Sequence, residues 1–181
     1  MQPGMAEDNV HLKYMEFLDY IVGKVKHLRI GELLLMPGGW RTSDVSGHAV
    51  MYALIRKSDQ FYSFGIINTG PGLEYHAALA ECSPPKLKRS LALTLEDVPT
   101  PRLQDSSFWF LLYRQLVYPK KTNGAQEIYT VLLPYLNGKP IYSNAVAAKK
   151  GIERPKQKCE CCILAKWSSL PVALSLPLAV S

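Results

Sequence analysis

Several things are missing from this chain, and each absence narrows its class. The opening MQPGMAEDN contains no apolar h-region, so no signal peptide is expected. No Asn-X-Ser/Thr sequon occurs. Cysteine is scarce, and three of the four (Cys159, Cys161, Cys162) crowd into four positions, which is no disulfide framework. A reducing cytoplasmic or nuclear compartment is the simplest expectation. These three thiols could bind a soft metal or, beside a basic run, carry a palmitoyl group, but no second Cys or His pair stands at zinc spacing, so no metal site is assigned. Gly70-Pro71-Gly72 lacks the third glycine of a dinucleotide fingerprint, and its proline offers a phosphate no N–H, so no cofactor is expected either. The last apolar stretch is interrupted by Lys166, Pro171 and Pro177, too often for a membrane-spanning helix. Basic residues form no stripe interleaved with aromatics, so nothing singles out nucleic acid as a partner.

What is present is a globular composition. The 181 residues are 48% apolar and 10% aromatic, enough to fold and bury a core as one domain. The net charge is +6, and half of it sits between Val146 and Glu160. That shift in character sets a boundary: a single domain over 1–145, then a basic, Cys-containing tail over 146–181 expected to be poorly ordered.

The informative stretch runs from Met36 to His76. Two runs of β-branched and aromatic residues, Ala49–Ile55 and Phe61–Ile67, flank the polar break Lys57-Ser58-Asp59-Gln60, which predicts a hairpin. His48 stands where the first strand begins and Asn68 where the second stops. If paired residues sum to about 116, the two face each other directly; at about 118, Asn68 is the diagonal neighbour of His48 on the same face. A sum of about 117 would put them on opposite faces, because side chains alternate along a strand. On one face, the Asn amide oxygen could accept the ring N–H and fix the tautomer of a basic imidazole. Alternatively, His48 is an ordinary polar strand end and Asn68-Thr69-Gly70 an ordinary turn.

Gly47-His48-Ala49, an apolar strand, a short turn, an aromatic strand and then Asn68 resembles the His–Asn half of papain-like cysteine peptidases, including the deubiquitinase-like branches. The resemblance covers about forty residues. It implies a papain-like half-domain with His48 as general base, Asn68 as its orienter, and Trp40 as a wall of the substrate cleft. Trp40 could equally cover the apolar face of the hairpin. The implied partner is a protein, with a ubiquitin-like one among the candidates. The family places its cysteine at a helix N-terminus ahead of the His, whereas here all four cysteines follow His48. SUMO-protease-like and permuted papain-like families do place His first. Cys82 would be the nucleophile in that order, but it is trailed by Ser83-Pro84-Pro85 with no sign of a helix start to lower its pKa. The chain alone is therefore expected to be partial or inactive. The alternative is a non-enzymatic α+β interaction module.

The remaining patterns complete an α+β expectation: an antiparallel hairpin or sheet packed with an N-terminal amphipathic helix and C-terminal helices. Glu7–Lys26 carries apolar residues at helical spacing (Val10, Tyr14, Phe17, Leu18, Ile21, Val25). Glu32–Met36 predicts a short strand ending in a Pro37–Trp40 turn, and Leu91–Leu95 another strand. Ser106–Tyr118 predicts a buried helix capped by Asp105 or Ser106. Ala125–Leu136 predicts a helix repeating Ile128, Val131, Leu132 and Tyr135, kinked at Pro134 and stopped by Asn137-Gly138. Tyr75-His76 is expected to be a short extended segment, with His76 of little functional weight among apolar neighbours.

Overall fold

The computed structural model describes residues 4–43, 46–78, 89–118 and 124–151. It is α+β: a four-stranded antiparallel sheet in the order β1-β2-β3-β4, with helices packed on one face. The strands are β1 (Leu33–Arg41), β2 (Gly47–Arg56), β3 (Phe61–Ile67) and β4 (Ala92–Pro99). The predicted hairpin is β2–β3. Its turn is closed by the Lys57 amide donating to the Phe61 carbonyl at 2.9 Å, while the Ser58 hydroxyl accepts from the Gln60 and Phe61 amides.

Register decides which face each side chain takes. Leu33 lies opposite Ile55, and Met51 opposite Ile67, so partner numbers sum to an even value across both ladders. Even-numbered residues of β1, β2 and β3 therefore share one face. Leu34, Met36, Trp40, Val50, Tyr52, Leu54, Tyr62, Phe64 and Ile66 all point into the main core. The odd face holds a smaller cluster of Leu33, Ala53 and Ile55.

Helix α1 (Gly4–His27) lays Tyr14, Leu18, Ile21, Val22 and Val25 on that core, and the Tyr62 hydroxyl donates to the Val25 carbonyl at 2.9 Å. Val10, expected on the buried stripe, is half exposed. After β4 come α2 (Thr100–Leu103) and α3 (Ser106–Val117). Asp105 caps α3, its carboxylate accepting from the Ser107 amide at 2.9 Å. Phe108, Trp109, Leu112 and Tyr113 form the buried face of α3.

Three expectations are corrected. β1 does not stop at Met36 but continues through Pro37–Trp40 to Arg41. It is an edge strand, where a proline without an N–H is tolerated. Gly39, at φ 141°, brings it so close to β2 that a Cβ would stand 2.0 Å from the His48 carbonyl oxygen. The predicted helix over Ala125–Leu136 is instead α4 (Gly124–Glu127), a π-helical turn (Ile128–Leu132) and α5 (Leu133–Asn137). The wider turn changes the phase: Ile128, Tyr129, Leu132, Leu133 and Leu136 are buried, while Val131 and Tyr135 are exposed. Pro134 falls at the start of α5, and Gly138 at φ 71° ends it in the left-handed conformation. Finally, Leu73–Tyr75 is a 3₁₀ turn leading into a buried His76.

Helix α6 (Asn144–Lys149) spans the boundary expected at 145, with Ala147 only 3% exposed. Residues 152–181 of the expected tail lie outside the described residues, as do Cys82, Cys159, Cys161 and Cys162. No helix among the described residues is long and apolar enough to cross a membrane.

Candidate functional site

The open end of the hairpin brings Trp40, His48 and Asn68 together, as their shared even parity requires. Trp40 lies opposite His48 in the β1–β2 ladder, and the two ring centres are 5.0 Å apart at 48°. At 4% exposure, Trp40 covers the apolar face and backs the imidazole. It presents little surface of its own to a substrate. Beyond the last β2–β3 pair, Asn68 is anchored through its backbone amide, which donates to the Leu91 carbonyl at 2.8 Å. The chain then bends through Gly70-Pro71-Gly72, passing beneath the imidazole of His48.

The two side chains are directly bonded, with His48 Nε2 2.7 Å from Asn68 Oδ1. Chemistry fixes the direction of this bond. The Gly70 amide, which can only donate, points at Asn68 Oδ1 at 2.9 Å, and the Pro71 carbonyl, which can only accept, lies 2.6 Å from Asn68 Nδ2. The amide is thereby oriented without ambiguity, and Oδ1 must accept from the ring. His48 therefore carries its proton on Nε2 when neutral, leaving a lone pair on Nδ1. Among the described residues, no hydrogen bond occupies that nitrogen. The imidazole is half buried, whereas Asn68 is 1% exposed.

A second set of partners lies behind Asn68. Its Nδ2 also donates to the Tyr129 hydroxyl at 3.1 Å, and that oxygen lies 2.7 Å from His76 Nε2. His76 Nδ1 donates to the Ser90 carbonyl at 2.8 Å, so Nε2 is the acceptor and Tyr129 the donor. Tyr75 stacks on Tyr129 with ring centres 4.8 Å apart and planes 5° from parallel. Burial pushes the Tyr129 hydroxyl above its ordinary range, offset in part by the Asn68 hydrogen bond. Tyr129 therefore keeps its proton at neutral pH.

Sequence reasoning missed both of these groups. His76 stands among apolar neighbours in the chain, and Tyr129 falls outside a regular helical repeat of Ile128, Val131, Leu132 and Tyr135. No signal in the sequence would have found the pair, because the π turn that aims Tyr129 breaks the periodicity on which such a search relies. The other two histidines are surface groups: His11 Nδ1 shares a 2.7 Å hydrogen bond with the Tyr118 hydroxyl, and His27 Nδ1 donates to the Gly23 carbonyl at 2.7 Å.

The arrangement suits proton transfer at one point, His48 Nδ1. A thiol, hydroxyl or water placed there could give up its proton, and the resulting imidazolium would keep its bond to the Asn68 oxygen. Among the described residues, no three His, Cys, Asp or Glu side chains cluster as metal ligands would. The bend does not cradle a phosphate, since the Gly72 amide donates to the Glu74 carboxylate at 2.9 Å. Scans of protein-family models, curated proteins and solved structures find no match to this chain.

Proposed function

We propose that this domain is the His–Asn half of a papain-like cysteine peptidase of the deubiquitinase-like kind, partial or inactive in this chain. His48 is the general base and Asn68 its orienter. The observation that supports this reading is the 2.7 Å bond between His48 Nε2 and a fully constrained Asn68 amide, which leaves Nδ1 as the basic atom. In this sequence no cysteine precedes His48, and the four that follow lie outside the described residues.

A second reading has its own observation. An apolar cleft of about 320 Å³ opens between α1, β1 and α3, lined by Phe17, Ile21, Met36, Pro37, Tyr113 and Leu116 among others, and none of the site residues borders it. A non-enzymatic interaction module would use that cleft.

Two measurements separate these readings. Incubated with a ubiquitin-based thiol probe, the full chain should remain unlabelled; labelling abolished by both Cys82→Ala and His48→Ala would make it a complete enzyme with His before Cys. Titrated with ubiquitin, the amide signals of Gly47–Ala49 and Thr69–Gly72 should shift. Shifts confined to the cleft would favour the module, and none at either place would remove ubiquitin as the substrate class.

A further inference from the structure

The bonds behind Asn68 include a series with a single polarity. His48 Nε2–H donates to Asn68, Asn68 Nδ2–H to Tyr129, Tyr129 O–H to His76, and His76 Nδ1–H to the Ser90 carbonyl. Each donor is fixed by the one after it, and the last by a backbone oxygen that can only accept. Tyr129 and His76 are both fully buried. A core needs no such chain, because apolar side chains of similar volume fill space without the cost of satisfying polar atoms. The series begins at the half-exposed imidazole of His48, whose Nδ1 has no hydrogen bond among the described residues.

We propose that Tyr129 and His76 are positioning residues for His48: they back the Gly70 amide and the Pro71 carbonyl in holding the Asn68 amide in the orientation that keeps the imidazole proton on Nε2 and the basic lone pair on Nδ1. Asn68 Nδ2 has two hydrogens and two acceptors here, the Pro71 carbonyl and Tyr129. With Tyr129 in place, neither hydrogen is free to draw the amide out of plane, and a flip would set its oxygen against the Pro71 carbonyl. The π turn is the backbone device that delivers Tyr129 to this point, and such turns concentrate at functional sites. Ring stacking with Tyr75 holds the phenol from its face. The inference deepens the reading of His48 as a general base and rests on it for its purpose, though the positioning itself is a separate physical claim.

The experiment uses the full chain labelled with ¹⁵N at histidine, at about pH 8.5, where an ordinary imidazole is neutral. Long-range proton–nitrogen correlation reports the tautomer of His48, and exchange with water reports the lifetime of its Nε2–H. In the parent protein, His48 should be the Nε2–H form. Tyr129→Phe leaves only Gly70 and Pro71 to hold the amide and should shorten the Nε2–H lifetime by about tenfold, the scale of one hydrogen bond. Tyr113→Phe is the control: it removes another core hydroxyl, which donates to the Pro37 carbonyl at 2.9 Å outside the series, and should leave both signals unchanged. His76→Gln, whose amide oxygen can take the Tyr129 proton, should preserve the parent signature, and His76→Leu should lose it. This pair keeps the test open if Tyr129→Phe fails to fold. Parent-like His48 signals in Tyr129→Phe, or in His76→Leu, would overturn the proposal and leave the series a structural one. Failure of the peptidase reading would appear in the probe and ubiquitin experiments, with these signals unaffected.

Discussion

The imidazole of His48 lies against Gly70 so closely that a Cβ at that glycine would meet ring Cε1 at 2.5 Å and the two nitrogens at 3.1 and 3.2 Å. The absence of a side chain at Gly70 leaves the ring the space it occupies beside Asn68. A methyl group there has one movable obstacle, since the ring sits at the end of a rotatable side chain.

Gly70→Ala should therefore swing the imidazole away from Asn68 while the domain stays folded. We expect a stability loss of roughly 1–3 kcal/mol, the usual range for overpacking. A crystal structure of the variant that kept His48 Nε2 within hydrogen-bond distance of Asn68 Oδ1 would show that the glycine is not needed for the pair.

The two partners should respond unequally to truncation. From sequence alone, Asn68→Ala would be expected to cost about a kilocalorie per mole, as one hydrogen bond does. The structure raises that figure. Asn68 is buried, and its loss strands the Gly70 amide, the Pro71 carbonyl and one side of Tyr129, for roughly 2–4 kcal/mol. His48→Ala removes a half-exposed ring and should cost about 1 kcal/mol or less. Denaturant melts of both singles and the double would check this asymmetry. Equal large losses would make the pair a structural brace, and the peptidase reading would lose its main support.

Alkaline stability follows from the buried phenols. Burial raises the Tyr52, Tyr113 and Tyr129 hydroxyls above their ordinary value of 10.0 in the folded chain. The unfolded chain releases those protons first. The stability they contribute is thus fully present below about pH 10 and lost as pH climbs above it toward the folded values. Melting temperature followed from about pH 8 to about pH 11, beside ultraviolet tyrosinate absorbance, should stay level with respect to these groups and then fall steeply. A melting temperature that rose across that last unit would contradict the assignment.

How far the sequence could be read depended on whether local periodicity and tertiary placement agreed. The β2–β3 hairpin was legible because its alternation and its polar turn point the same way, and the observed pairing is the diagonal one among the three considered. Helix α3 was legible down to its Asp105 cap. β1 was cut short because Pro37-Gly38-Gly39 reads locally as a turn, and only its place at the sheet edge lets it remain a strand. His48 and Asn68 were found through spacing. Tyr129 lies 61 residues from Asn68 and reaches it through a π turn that no regular repeat encodes. His76 was undervalued because apolar neighbours in the chain say nothing about a phenol arriving from a distant helix.

The even pairing sums carry a consequence for how this domain can vary. Site and core share one face of the sheet. A one-residue slip of β3 against β2 would turn Asn68 toward the far face and carry Tyr62, Phe64 and Ile66 out of the core with it. The burial that sets the register of the hairpin therefore also keeps Asn68 beside His48, and the exposed turn between Arg56 and Phe61 can change length without parting them as long as those side chains stay buried.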